Sequence, residues 1–124
     1  MHAAMILIVE DDSGVRDALT ELLTDQGYQV ATAGDGQEAW WYLHSHPQPD
    51  LIITDLMMPV MNGQEFLRLK ETEPAMAAIP TIVISASLDV LATLPQQDIA
   101  RITKPIAIPT LLATVKAYCN EHTG

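Results

Sequence analysis

Glu10, Asp11, Asp55, Ser85 and Lys104 each stand at the end of a short apolar run or directly after one. Met5-Ile6-Leu7-Ile8-Val9 precedes the acidic pair, Leu51-Ile52-Ile53-Thr54 precedes Asp55, Ile79 to Ile84 precedes Ser85, and Ile99 to Thr103 precedes Lys104. Brought together, these residues would place three carboxylates beside one ammonium and one hydroxyl. Carboxylates so close repel: at an effective dielectric near 20, one pair about 4 Å apart costs roughly 4 kcal/mol. Such a cluster wants cations. All-oxygen donors with no cysteine or nearby histidine select a hard divalent ion, Mg²⁺ or Mn²⁺. A carboxylate, a hard ion, a lysine and a hydroxyl suit phosphoryl transfer, in which metal and ammonium neutralise the phosphoryl oxygens while the carboxylate attacks in line. Asp55 is the natural nucleophile.

The elements that must position these residues follow from periodicity. Met5 to Val9 is a continuous apolar run of strand length. After it, Val15, Ala18, Leu19, Leu22 and Leu23 fall at the i, i+3, i+4, i+7, i+8 spacing of a helix, with Ser13 as N-cap and Gly27 as stop. Tyr28 to Ala33 reads as a strand. Asp35, with Glu38 three residues on, has the capping-box pattern and opens a helix that turns Ala39, Trp40 and Leu43 inward, ended by Pro47 and Pro49. Leu51 to Thr54 is a strand ending at Asp55, and Asn62 with Glu65 opens a helix towards Thr72, stopping before Pro74. Ile79 to Ile84 is a strand, Leu88 to Leu94 a short helix cut by Pro95, and Ile99 to Thr103 a fifth, weaker strand. Pro109 opens a last helix with Leu111, Leu112, Val115, Tyr118 and Cys119 on one side.

Five strands alternating with five helices imply an α/β doubly wound fold: a parallel sheet in the order 2-1-3-4-5 with helices on both faces and a short fourth helix. In a parallel sheet all strand C-terminal ends lie on one edge, where ligands bind. Strands one, three, four and five would be neighbours, so the chemistry-bearing residues are expected to meet in one pocket.

At these residues the chain resembles a response-regulator receiver domain of two-component signalling, of the chemotaxis-receiver, flavodoxin-like kind, over nearly its whole length. The matching residues are Ile8-Val9-Glu10-Asp11-Asp12 followed by Arg16, Asp50 to Pro59 with Asn62-Gly63, Ile84-Ser85-Ala86, and Thr103-Lys104-Pro105. The resemblance implies Asp55 as phosphoacceptor and Asp11 as direct Mg²⁺ ligand, with Glu10 bound through water. It implies the backbone carbonyl of Met57 as a further ligand, Ser85 as the switch hydroxyl on the phosphoryl group, Lys104 as its partner, and a cis Lys104–Pro105 bond. It also implies a cytoplasmic phosphorelay protein taking its phosphoryl group from a sensor histidine kinase or phosphotransfer protein, and acting on a downstream protein or an output domain outside this chain. Two departures stand out. Arg101 occupies the place where relatives often carry Tyr or Phe, and the stretch from Ser85 to Lys104 is shorter than usual.

Plainer readings of the same residues exist. Glu10, Asp11 and Asp55 could be solvated turn residues, Ser85 a helix cap, Lys104 a surface lysine, and Asp12 either a cap or an outer-sphere metal partner. Arg101 is expected to be an exposed surface residue. Trp40 is expected half-buried, adjacent Trp41 points elsewhere, and Cys119 is a small core residue. Met57, Met58 and Met61 are adaptable packing around the acceptor loop. His44 and His46 are two apart and make no helical metal pair. Gly34-Asp35-Gly36-Gln37-Glu38-Ala39 satisfies G-x-G-x-x-A after a strand, but Asp35 would stand where pyrophosphate must approach, so it is no dinucleotide site.

Composition bounds the rest. A length of 124 residues allows one domain, 1–124, with 1–4 and 121–124 as loose ends. Sixteen acidic against six basic residues, net charge -10, argue against direct nucleic-acid binding and against an anionic membrane. No run of about 18 apolar residues and no basic leader is present. The single Cys119 cannot form an internal disulfide. Two rival functions fit less well: an aspartyl-nucleophile phosphatase, which would want an acid where Met57 stands, and an interaction module working without phosphate. The chain reads either as a stand-alone regulator or as part of a longer regulator or hybrid kinase.

Overall fold

A computed structural model describes residues 3–56, 63–86 and 99–123. Its strands are β1 (Met5–Val9), β2 (Gln29–Ala33), β3 (Leu51–Asp55), β4 (Thr81–Ser85) and β5 (Ile99–Thr103). The helices are α1 (Ser13–Asp25), α2 (Gly36–Ser45), α3 (Gly63–Glu71), a short α4 (Pro74–Ala77) and α5 (Ile108–Thr123). All strand pairings are parallel and the sheet order is β2-β1-β3-β4-β5, as the alternation of elements implies. The expected helix at Leu88 to Leu94 lies outside the described residues, as do Asn62, Met57, Met58 and Met61.

The central strands are apolar throughout because both their faces are covered. Every residue of β3 and β4 is buried, and only Met5 of β1 is not. Side chains alternate between the faces, as the pleat requires. Ile6, Ile8, Ile53, Ile82 and Ile84 meet Leu19 and Leu23 of α1 and Leu111, Val115 and Cys119 of α5. On the other face Leu7, Val9 and Ile52 meet Ala39 and Leu43 of α2, Phe66 of α3 and Met76 of α4. The inward residues expected of α1, α2 and α5 thus form the core, except Ala18, which is exposed; Val15, Leu22, Trp40, Leu112 and Tyr118 lie half-buried at its edges. Trp41 points away and is 67% exposed.

Several boundaries differ from the expectation, each for a local reason. Asp12, not Ser13, caps α1: its Oδ1 accepts from the Val15 N–H at 3.0 Å, and Ser13 is already helical. Asp12 is therefore a cap. Gly27 does end α1, at φ 94°, a left-handed conformation that costs a residue without Cβ little. Tyr28 falls just outside β2 because its N–H still closes on the Leu23 carbonyl at 3.2 Å. Asp35 caps α2, accepting from the Glu38 N–H at 2.8 Å. Pro74 stops nothing further but opens α4, where a missing N–H is harmless. That turn delays β4 to Thr81, since the Ile79 N–H closes on the Met76 carbonyl at 3.1 Å.

Candidate functional site

Strand register brings the polar residues to one edge. Val9 lies beside Thr54, Asp55 beside Ile84, and Ser85 beside Thr103, so the residues ending β1, β3, β4 and β5 form a contiguous rim. Glu10 extends β1 by one residue, its N–H donating to the Ala33 carbonyl of β2 at 3.0 Å. The Lys104 N–H donates to the Ser85 carbonyl at 3.0 Å, which ties the end of β5 to the end of β4. The Lys104–Pro105 peptide is cis, as expected.

Within this rim Lys104 Nζ donates to Asp55 Oδ2 at 2.6 Å, a charge-assisted hydrogen bond. Asp55 is buried, while the lysine stem reaches it from a partly open position. Glu10 is buried as well and shares a side-chain hydrogen bond with Asp55. The Asp11 N–H donates to Glu10 Oε2 at 3.1 Å, and Asp11 itself faces solvent. Glu10, Asp11 and Asp55 each offer a carboxylate oxygen, and these oxygens lie within 4.8 Å of one another. This group could hold a metal ion. Its donors are all hard oxygens, one of them solvent-facing, which fits a cation that keeps part of its water shell. Ser85 is buried at the adjoining strand end.

The electrostatic consequence is plain at Glu10. Burial, then the hydrogen bond to Asp55 and repulsion from it, push the Glu10 carboxyl up to about 7, with Asp11 adding and Lys104 opposing. At Lys104 burial pulls the ammonium down, but the hydrogen bond to Asp55 and the attraction of Asp55, Glu10 and Asp11 outweigh it, so its proton is held more firmly than usual. Glu10, Asp55 and Lys104 share the lining of a cavity of about 10 Å³, room for a single water, with apolar Val15, Leu19, Ile84 and Ile106.

The structure therefore brings together Glu10, Asp11, Asp55 and Lys104, with Ser85 at the neighbouring strand end. The Met57 carbonyl lies outside the described residues. Arg101 is half-buried rather than exposed, because its Nη1 turns back to the Ile99 carbonyl at 3.3 Å. Two positions carry more than their sequence signals. Lys70 is buried, its Nζ donating to the Ala77 carbonyl at 3.2 Å at the end of α4. Arg16 reaches the Glu10 carbonyl at 3.0 Å, a contact to main chain that side-chain periodicity does not encode.

Known proteins bear on this arrangement directly. The response regulator receiver domain family matches residues 6–116. A receiver domain of a signal transduction histidine kinase from Syntrophus aciditrophicus superposes with a TM-score of 0.87 at 35% identity, covering 96% of this chain and 92% of that one. The chemotaxis protein CheY4 of Vibrio cholerae superposes with a TM-score of 0.81 at 30% identity, covering 94% and 98%. Among curated proteins, the transcriptional regulator NtrC of Azospirillum brasilense is 30% identical over 99% of this chain but only 26% of its own length. This chain spans between about a quarter and about half of the curated relatives it matches. The alternation of elements, the sheet order, the acid–lysine rim and these matches agree: the chain belongs to the response regulator receiver domain family of two-component signalling.

Proposed function

We propose that this receiver accepts a phosphoryl group on Asp55 from a phosphohistidine of a sensor kinase or phosphotransfer protein. The observation that carries it is the 2.6 Å contact of Lys104 with Asp55 inside a cluster of three carboxylates. An Asp55 oxygen attacks phosphorus in line, the phosphorus–nitrogen bond breaks, and the donor imidazole leaves with the electron pair. Lys104, already bonded to Asp55, follows the charge as it spreads to the phosphoryl oxygens. Asp11 and Asp55 would hold Mg²⁺, or Mn²⁺, directly, Glu10 through water, and the Met57 carbonyl would complete the protein ligands. When bound, the ion neutralises the incoming phosphoryl oxygens. Ser85 would donate to a phosphoryl oxygen, and that bond would favour one of two surface states.

The reaction is the domain's own modification, with no turnover of a separate substrate. Relatives place receivers of this kind in a histidine kinase, a chemotaxis protein and a transcriptional regulator. The output is accordingly a downstream protein or an attached domain, and direct nucleic-acid contact does not suit a net charge of -10. A cytoplasmic setting fits the phosphohistidine donor proposed above; Cys119 is buried, and no helix among the described residues is long and apolar enough to cross a membrane. Incubation with acetyl phosphate and Mg²⁺ tests the proposal. Mass spectrometry should show one added phosphoryl group in the wild type and none in Asp55→Asn. Equal labelling of the two would overturn it, as would a wild type that never labels.

A further inference from the structure

Arg16 lies outside the acid cluster, in the second turn of α1, yet it touches the main chain that aims the cluster. Its Nη1 donates to the Glu10 carbonyl at 3.0 Å. The Glu10 N–H donates to the Ala33 carbonyl at 3.0 Å, so both backbone polar groups of Glu10 are held from outside β1, one by β2 and one by α1. A peptide unit is planar, so holding its oxygen sets the direction of the N–H on its far side. That N–H belongs to Asp11 and donates to Glu10 Oε2 at 3.1 Å. A chain of contacts thus runs from the guanidinium through the Glu10–Asp11 peptide to the Glu10 carboxylate.

Arg16 is itself well anchored. Its N–H donates to the Asp12 carbonyl at 2.9 Å, and its own carbonyl accepts from Thr20 Oγ1 at 2.8 Å. Gly34, just past β2, lies beside the guanidinium. A Cβ there would come 3.8 Å from Arg16 Nη1 and 3.1 Å from Glu38 Oε2, so the guanidinium and a carboxylate of α2 lie over the same bare backbone. A rigid planar fork suits this location better than the point charge of a lysine on a flexible stem.

We propose that Arg16 is a positioning residue for the cation: by holding the Glu10 carbonyl it sets the Glu10–Asp11 peptide so that both carboxylates face Asp55. The proposal rests on the metal-dependent reading above. Partners that orient ligands from outside typically govern about 10–100-fold in metal affinity. Calorimetric titration of the 124-residue protein with Mg²⁺ tests it in wild type, Arg16→Met, Arg16→Lys, Glu10→Gln and the Arg16→Met/Glu10→Gln double variant.

Arg16→Met should weaken Mg²⁺ binding by about tenfold, and Arg16→Lys should recover part of that loss. In acetyl phosphate labelling, Arg16→Met should need more Mg²⁺ yet reach a plateau rate near that of the wild type. On the Glu10→Gln background the same substitution should cost less, since one of the two carboxylates it positions, the water-bound one, is gone while Asp11 remains. An unchanged Mg²⁺ affinity in Arg16→Met, or full additivity in the cycle, would overturn the proposal. If circular dichroism shows Arg16→Met unfolded, Arg16→Lys decides: wild-type affinity in that variant overturns it, and weaker binding at an unchanged melting temperature supports it. A wild type that does not bind Mg²⁺ would instead sink the function proposed above.

Discussion

Glu10 shows what burial in an acidic cluster does to a carboxylate. Its carboxyl is buried against Asp55 and raised to about 7 from an ordinary value of 4.5. A group whose pKa is higher when folded contributes its stability below its unfolded pKa and loses it as pH rises through the folded one. The metal-free protein should therefore become less stable between about pH 4.5 and pH 7 on account of Glu10. Glu10→Gln keeps the shape and the capacity to hydrogen-bond while removing the charge. At pH 8 without metal it should raise unfolding stability by roughly 1–2 kcal/mol, read by urea titration, and it should flatten the dependence on pH. The same variant should bind Mg²⁺ more weakly than wild type. A destabilised Glu10→Gln at pH 8 would show that the hydrogen bonds of the carboxylate, not its repulsion, dominate.

The elements succeed or fail on local chemistry that can be tested at single caps and bridges. Asp12→Ala should cost about 1 kcal/mol of stability by removing the bond to the Val15 N–H, and Asp12→Ser should restore most of it. Neither should shift the Mg²⁺ titration midpoint, because Asp12 serves the helix; a large shift would make it part of the cation site. His44 joins the last turn of α2 to the start of α4, its Nε2 3.0 Å from Glu73 Oε1. The Trp40 carbonyl and Glu73 raise its pKa, so the charged pair stabilises below the ordinary histidine value of 6.5 and fades as pH rises through the higher folded value. His44→Gln should lower the melting temperature more at pH 6 than at pH 8.5, and added salt should shrink the difference. Equal losses at both pH values would mean the ring acts only through packing against Trp40, 4.5 Å away.

These same elements show what sequence can carry. The apolar runs of β1 and β3 and the stripes of α1 and α5 were legible because burial on both faces, or on one face, leaves a periodic mark. Asp55 and Lys104 were legible because they end such runs. Spacing points to Ser13 as the cap of α1 because Asp12 and Ser13 are both good cap residues and only geometry chooses between them. α4 was hidden because a proline that ends one helix can equally begin the next. Arg16 left no trace of its role, since a side chain bonding to main chain across a turn is invisible to spacing.

At the scale of the whole molecule, one edge of the sheet concentrates repulsion that the remaining fold must outweigh. The buried faces of β1, β3 and β4 supply that surplus, and a cation that binds only the folded arrangement adds to it by mass action. At a Mg²⁺ concentration about 100 times its dissociation constant, the folded state should gain about 2.7 kcal/mol, which for a chain of this size raises the melting temperature by roughly 10 °C. General screening of a net charge of -10 would also stabilise the protein, so the control is NaCl at matched ionic strength. The specific gain should saturate with Mg²⁺, exceed that of NaCl, and be largely lost in Asp11→Asn. That substitution removes a solvent-facing carboxylate, so its metal-free melting temperature should stay close to wild type. If NaCl reproduces the whole Mg²⁺ effect, or if Asp11→Asn retains it, the acidity of this edge is a general surface property and the three carboxylates do not act as one site.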